Sequence, residues 1–178
     1  MRHTQLPPTH RVRQKIRTRQ KQRPFFEVPI SVYWPFRGEP DLRAWMRRLS
    51  ERGGVCALPM VIERHMPLVF RAWRPGDRLQ RGVWNIPVPA DGPEVTPDII
   101  IAPVVGFDAA CYRLGHGGGF FDRTLAAMPW RPRVTGVGYS QLAIRTIYPQ
   151  PHDVPMDVIV TESSIVSPVV AESGVALA

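Results

Sequence analysis

Apolar and polar positions fall into short blocks along this chain, and the period of those blocks alternates between that of a strand and that of a helix. Residues 28–34 are mostly apolar and read as a strand. In 40–52, Leu42, Trp45, Met46 and Leu49 recur at helical spacing, which predicts a helix with one apolar face. Residues 55–60 and 68–73 are two further short strands, joined across Glu63, Arg64 and His65, a polar turn that should leave His65 exposed. Residues 98–105 are nearly all apolar with a β-branched centre, as in a strand buried on both faces of a parallel sheet. A helix is expected over 119–128, stopped by Pro129, with strands over 134–139 and 157–161. Residues 74–97 are rich in Pro, Gly and Asp and predict a long excursion without regular structure, a kind of loop that is often functional.

Strands alternating with short helices predict an α/β fold, a single domain with a mostly parallel sheet flanked by helices. The 178 residues suffice for one domain with a substantial core. The division expected is a basic N-terminal arm over 1–27, the α/β domain over 28–165 and a weakly patterned tail over 166–178. No internal repeat is visible.

The net charge of +8 suggests a polyanion partner until its location is traced. Arg2, Arg11, Arg13, Lys15, Arg17, Arg19, Lys21 and Arg23 account for all of it, leaving 15 bases against 15 acids in the remainder. The globular part is therefore neutral, and the arm reads either as a solvated tail or as a polyanion-binding segment. An RNA role is the weaker reading, because no aromatic is interleaved with those bases before Phe25 and Phe26. No apolar run reaches the length of a membrane span and the basic start has no apolar leader, so a cytoplasmic protein without membrane contact is expected. A monomer is the expected state. Cys56 and Cys111 have neither metal-ligand spacing nor a disulfide framework and read as buried thiols.

Candidate chemistry concentrates in Arg113-Leu114-Gly115-His116-Gly117-Gly118-Gly119-Phe120-Phe121-Asp122, between an apolar strand and an apolar helix. Four glycines in five positions let a backbone approach an anion closely, and the following helix points free N–H groups at it. The run lacks the Lys-Ser/Thr ending of a Walker loop, and it also reads simply as a flexible turn. Asp122 lies in the first helical turn, where the dipole favours a carboxylate by roughly 0.3–1 kcal/mol. With phosphates in the loop, a carboxylate about 4 Å away is repelled by roughly 4 kcal/mol per charge, so a cation must intervene. Magnesium fits, held by one or two carboxylates and phosphate oxygens, with Asp153 as a second ligand that also reads as a turn residue. Arg113 is placed either to hold phosphate oxygens or to pair with a surface acid, and His116 to add a donor or to be solvated. The globular part offers no setting for a covalent nucleophile, so positioning and electrostatics are the expected catalytic means.

Taken in order, Tyr33-Trp34-Pro35 with Gly38-Glu39, Trp84-Asn85-Ile86-Pro87, residues 97–108, the glycine run and residues 151–162 closely resemble the 5-formyltetrahydrofolate cyclo-ligase family, also called methenyltetrahydrofolate synthetase. The resemblance covers about residues 28–165 and implies a fold of the sugar-phosphate isomerase and coenzyme A transferase type. It implies a small-molecule folate substrate with ATP and Mg²⁺: the formyl oxygen takes the γ-phosphoryl group, the nitrogen at position 10 attacks the activated carbon, and phosphate leaves. By motif, Arg113, Gly115, His116, Gly117, Gly118, Gly119 and Phe120 fall on the ATP loop. Asp122 and Asp153 fall on metal positions, Arg113 and Asp122 being the catalytic pair, and Glu39, Trp84 and Phe121 fall on the folate side. Phe120 and Phe121 stand where the family usually has tyrosines, and Val88 where a Gln or Glu is common. Family members generally begin with a long basic helix, whereas 27 residues precede the first strand here; Arg13, Lys15 and Arg17 are the candidates for its role. A descendant that binds nucleotide or folate without turnover is the alternative.

Overall fold

The computed structural model describes residues 28–168. Its centre is a seven-stranded sheet formed by β1 (Pro29–Ser31), β2 (Val55–Met60), β3 (Val69–Trp73), β6 (Ile99–Pro103), β9 (Arg133–Val137), β10 (Val158–Val160) and β11 (Ile165–Val166). Two short hairpins stand beside it, β4 (Leu79–Arg81) with β5 (Pro87–Pro89), and β7 (Gly106–Phe107) with β8 (Arg113–Leu114). The α-helices among the described residues are α1 (Arg43–Glu51) and α2 (Phe120–Ala127).

The sheet runs β11-β10-β9-β6-β1-β2-β3. Its five inner strands pair in parallel, and only the edges β3 and β11 are antiparallel. This is the mostly parallel α/β sheet that the alternating pattern predicts. Side chains alternate across it as the strand period requires. Ala57, Ile100 and Ala102 point into one buried cluster, against which Phe120, Phe121 and Leu125 of α2 pack. Cys56, Leu58 and Ile101 point into the other, which holds Met46 of α1 together with Leu42 and Leu49. One helix therefore covers each face. Cys56 and Cys111 are fully buried, and burial pushes both thiols above their ordinary range.

Several elements differ from the pattern-based expectation. The first strand is short because the chain leaves the ladder after the Val32 N–H, which donates to the Ala57 carbonyl at 2.9 Å, and then turns at 36–39. The first helix starts at Arg43 because Asp41 accepts the Arg43 N–H at 2.9 Å and holds the preceding residues in a turn. The 74–97 excursion contains the β4–β5 hairpin, whose tip is a tight turn through Val83–Asn85. The connection from β9 to β10 carries a 3₁₀ turn, Ser140–Leu142, in place of an α-helix. Val166, placed in the tail by composition, pairs with Ile159 in β11. His65 is exposed in its turn, as expected.

The connection after β1 leads to β2 on one side, whereas the chain from β6 proceeds to β9 and β10 on the other. The order therefore reverses between β1 and β6. In open parallel sheets the crevice at such a reversal, beyond the carboxyl ends of the strands, is where ligands bind.

Candidate functional site

A cavity of about 700 Å³ opens at this reversal, floored by Tyr33 after β1, Leu58 and Pro59 of β2, and Pro103 and Val105 at the end of β6. That volume lies within the range of small-molecule sites. Among the described residues, its walls bring together the twelve candidate site residues: Glu39, Trp84, Arg113, Gly115, His116, Gly117, Gly118, Gly119, Phe120, Phe121, Asp122 and Asp153. They come from four segments that are remote in sequence.

The glycine run leaves β8, crosses the cavity and enters α2. Gly117 has φ +82°, and Gly119, the residue before the helix, has φ +59°, both in the left-handed region where a side chain is strained. The chain therefore reverses into α2 within a few residues, which sets the helix N-terminus against the cavity wall. Arg123, one turn into α2, donates from its guanidinium to the Gly118 carbonyl and lies 5.1 Å from the centre of the Phe120 ring. Thr124, buried, accepts the Leu68 N–H at 2.8 Å and donates to the Phe120 carbonyl at 2.6 Å, fixing the helix to the segment before β3.

Arg113 and Asp122 form a buried ion pair. The guanidinium reaches both carboxylate oxygens at 3.2–3.4 Å, the two side chains are 6% and 12% exposed, and the Phe121 ring stacks at 5.4 Å from the guanidinium carbon. Asp122 also accepts the Val154 N–H at 3.2 Å. Arg113 thus pairs with an acid, but a buried one, and the carboxylate beside the loop already has a cation.

On the opposite wall, residues 36–39 make a tight turn. The Glu39 N–H donates to the Phe36 carbonyl at 3.1 Å, and the Phe36 N–H donates back to Glu39 Oε2 at 2.9 Å. Arg37 and Gly38, the central residues, both have positive φ. The Glu39 side chain is 4% exposed, and its Oε1 lies 3.2 Å from His116 Nε2. Burial lifts the Glu39 carboxyl above its ordinary range, against the opposing pull of the Phe36 N–H and of His116. His116 is a partly solvated loop histidine, 34% exposed, as one reading of the sequence expects, and it also has Glu39 as a partner. Tyr33 lies beneath, its hydroxyl donating to the Pro40 carbonyl at 2.7 Å; burial and then the Glu39 charge raise its ionisation strongly.

Trp84 stands at the tip of the β4–β5 hairpin with φ 54°, followed by Asn85 at φ 63°. Two consecutive left-handed residues without glycine are strained, and such strain concentrates at ligand sites. They hold Trp84 half-exposed and edge-on to Phe120, with ring centres 5.7 Å apart. Val88 is buried in β5 and is not among the residues that line this cavity, so its departure from the common polar residue lies away from it.

Residues 2–162 match the sequence pattern of the 5-formyltetrahydrofolate cyclo-ligase family. The chain belongs to this family. It is 30% identical over 140 residues to the 5-formyltetrahydrofolate cyclo-ligase of Mycolicibacterium smegmatis, covering 74% of this chain and 72% of that one. It is 29% identical over 143 residues to the cyclo-ligase of Escherichia coli K12, covering 76% and 79%. The solution structure of Aquifex aeolicus 5,10-methenyltetrahydrofolate synthetase superposes with a TM-score of 0.67 at 29% identity, covering 88% of this chain and 81% of that one. The Mycoplasma pneumoniae synthetase, at 22% identity and a TM-score of 0.60, shares the fold. The family match begins at residue 2, so the basic arm falls inside the family region. Arg13, Lys15 and Arg17 lie outside the described residues.

The cavity has further walls that no motif in the sequence marks. Tyr148 lines it, largely exposed with φ 54°, beside Ile147 and Gln150. Asp108, buried, places this segment: its Oδ1 accepts the Ala110 and Tyr112 N–H groups and its Oδ2 the Ile147 N–H at 3.2 Å. Asp108 closes the 97–108 motif, but nothing in the sequence marks its burial, and Tyr148 has no periodic or compositional signal. Asp153 Oδ2 accepts the Gln150 N–H at 2.7 Å and so caps the turn around Pro151, while its Oδ1 is 3.8 Å from His152 Nε2. Among the described residues no group of three or more His, Cys, Asp and Glu side chains could hold a metal ion. Asp122 is held by Arg113 and the Val154 N–H and Asp153 by the Gln150 N–H, so a Mg²⁺ ion here would have to share them with ligand oxygens and its own waters.

Proposed function

We propose that this protein binds ATP along the glycine run and the N-terminus of α2, and 5-formyltetrahydrofolate with its pterin end on Glu39. It closes the folate to 5,10-methenyltetrahydrofolate with release of ADP and phosphate. The observation that carries this reading is the 3.2 Å contact between His116 and Glu39. A phosphate loop and a buried carboxylate, 77 residues apart in the chain, face each other across one cavity. Direct phosphoryl transfer needs that proximity, because its catalysis rests on alignment and charge stabilisation rather than on a protein nucleophile.

Glu39 accepts hydrogen bonds from the amino and N–H groups of the pterin. Trp84 and Phe121 exclude water and fix the ring, while Phe120, edge-on to Trp84, borders the ATP loop. The Arg113–Asp122 pair sits beneath the loop, where Arg113 offers positive charge to the transferring phosphoryl group and Asp122 holds the guanidinium in place. Asp122 and Asp153 are the residues that would hold Mg²⁺, which would supply charge neutralisation on the phosphates. Formation of the methenyl product, followed by absorbance, from 5-formyltetrahydrofolate with ATP and Mg²⁺ tests the reading. Product that stops on adding EDTA supports it, and tight nucleotide binding without product favours a descendant that has lost turnover.

A further inference from the structure

The contact between His116 and Glu39 links the two ligand sites as well as marking their proximity. Glu39 Oε2 is committed to the Phe36 N–H in the 36–39 turn, so Oε1 is the oxygen left to receive a ligand, and His116 stands on it. The acid is covered, at 4% exposure, while the histidine is 34% exposed and has solvent to move into. The Phe36 ring, edge-on at 5.6 Å between centres, is its other neighbour. Gly115 and Gly117 flank His116, and a Cβ built on either meets nothing within 4 Å. The direction of the imidazole is thus set by the loop, and the loop has room to change shape.

We propose that His116 is a positioning residue that couples the nucleotide and folate sites, because both ligands must part it from Glu39. A pterin takes the oxygen that His116 occupies. A loop that closes on phosphates carries His116 with it. Whichever ligand binds first carries the cost of separating the pair, and the second binds without that cost, which is positive cooperativity. The inference rests on the assignment of Glu39 to the pterin end made above.

The test measures binding without turnover, using a non-hydrolysable ATP analogue with Mg²⁺ and 5-formyltetrahydrofolate on the full chain. In the wild type, each ligand should tighten the other by the same factor, about fivefold or more, since coupling between two equilibrium sites is reciprocal. In His116→Ala each ligand alone should bind more tightly than to the wild type, and the coupling factor should fall to about one. His116→Gln, which keeps a donor for Glu39, should restore the coupling, an outcome that a merely structural role for the ring does not produce. Equal coupling in the wild type and His116→Ala, or independent binding in the wild type, overturns the inference alone. Nucleotide binding with no folate binding by the wild type overturns the Glu39 assignment and the inference together.

Discussion

Arg113 and Asp122 are each other's partner at 3.2 Å inside the wall of the cavity, where both are almost excluded from solvent. From sequence, Asp122 is a first-turn acid worth about 1 kcal/mol through the helix dipole, and the charge needed between it and bound phosphate is supplied by a metal. The pair overturns the first inference and adds an arginine to the charge the second assigns to the metal. Arg113 already stands beside the carboxylate, so phosphates in the loop meet an arginine and an aspartate together.

Asp122→Asn is therefore expected to cost stability as well as activity. It leaves a buried guanidinium without its charge partner, and breaking such a pair costs about 3–5 kcal/mol. Denaturant unfolding should show a clearly lowered midpoint, and the double substitution Arg113→Met with Asp122→Asn should recover part of it, since removing both charges is far less costly than removing one. A midpoint equal to the wild type in Asp122→Asn would contradict the pairing.

The glycine run offers a graded comparison. Gly119→Ala places a Cβ at φ +59° and 2.9 Å from the Arg123 guanidinium, whereas at Gly115 the φ is ordinary and the space is open. Gly119→Ala should lower stability by about 1 kcal/mol and raise the KM for ATP several-fold, and Gly115→Ala should be close to neutral in stability. Steady-state kinetics and thermal unfolding of the two variants check this, and equal stability losses would remove the argument from backbone conformation.

Glu39 carries a pH dependence whose sign follows from its surroundings. Its carboxyl is lifted by burial, so the fold binds its proton more tightly than the unfolded chain does. The stability this gives is fully present below the ordinary carboxylate range and is lost as pH rises through the lifted value. Glu39→Gln removes the titration, so the variant should gain on the wild type in stability as pH rises through that window. At neutral pH it should lose about 1.5–3 kcal/mol of folate affinity, the worth of a hydrogen bond to a charged group, with nucleotide affinity not weakened. Unfolding curves across pH, together with folate titrations, measure both effects, and a stability difference that does not change with pH would contradict the burial argument.

The buried strands β2 and β6 and helix α2 were legible because apolar runs and helical spacing report burial directly. The glycine run and Glu39 were legible as motifs. Their contact was not, because the approach of His116 to Glu39 depends on the order of strands β6 and β1 in the sheet, which periodicity does not encode. The same holds for Arg113 and Asp122: their separation of nine residues gives no sign that β8 and the first turn of α2 fold back on each other. The β4–β5 hairpin was hidden by its composition, since its strands are only three residues long and rich in proline, and its tip uses Trp84 and Asn85 in a conformation usually given to glycine.

The central claim is that the formyl oxygen of the folate receives the γ-phosphoryl group within this cavity. In that step a bond forms between the formyl oxygen and phosphorus as the bond between the β- and γ-phosphates breaks. The nitrogen at position 10 then attacks the carbon, loses its proton, and expels phosphate with the formyl oxygen attached. Mass analysis of the phosphate released from 5-formyltetrahydrofolate labelled in the formyl group with heavy oxygen tests this most directly. One labelled oxygen is expected in each phosphate released with methenyl product. Unlabelled phosphate, with the heavy oxygen recovered in water, would contradict it.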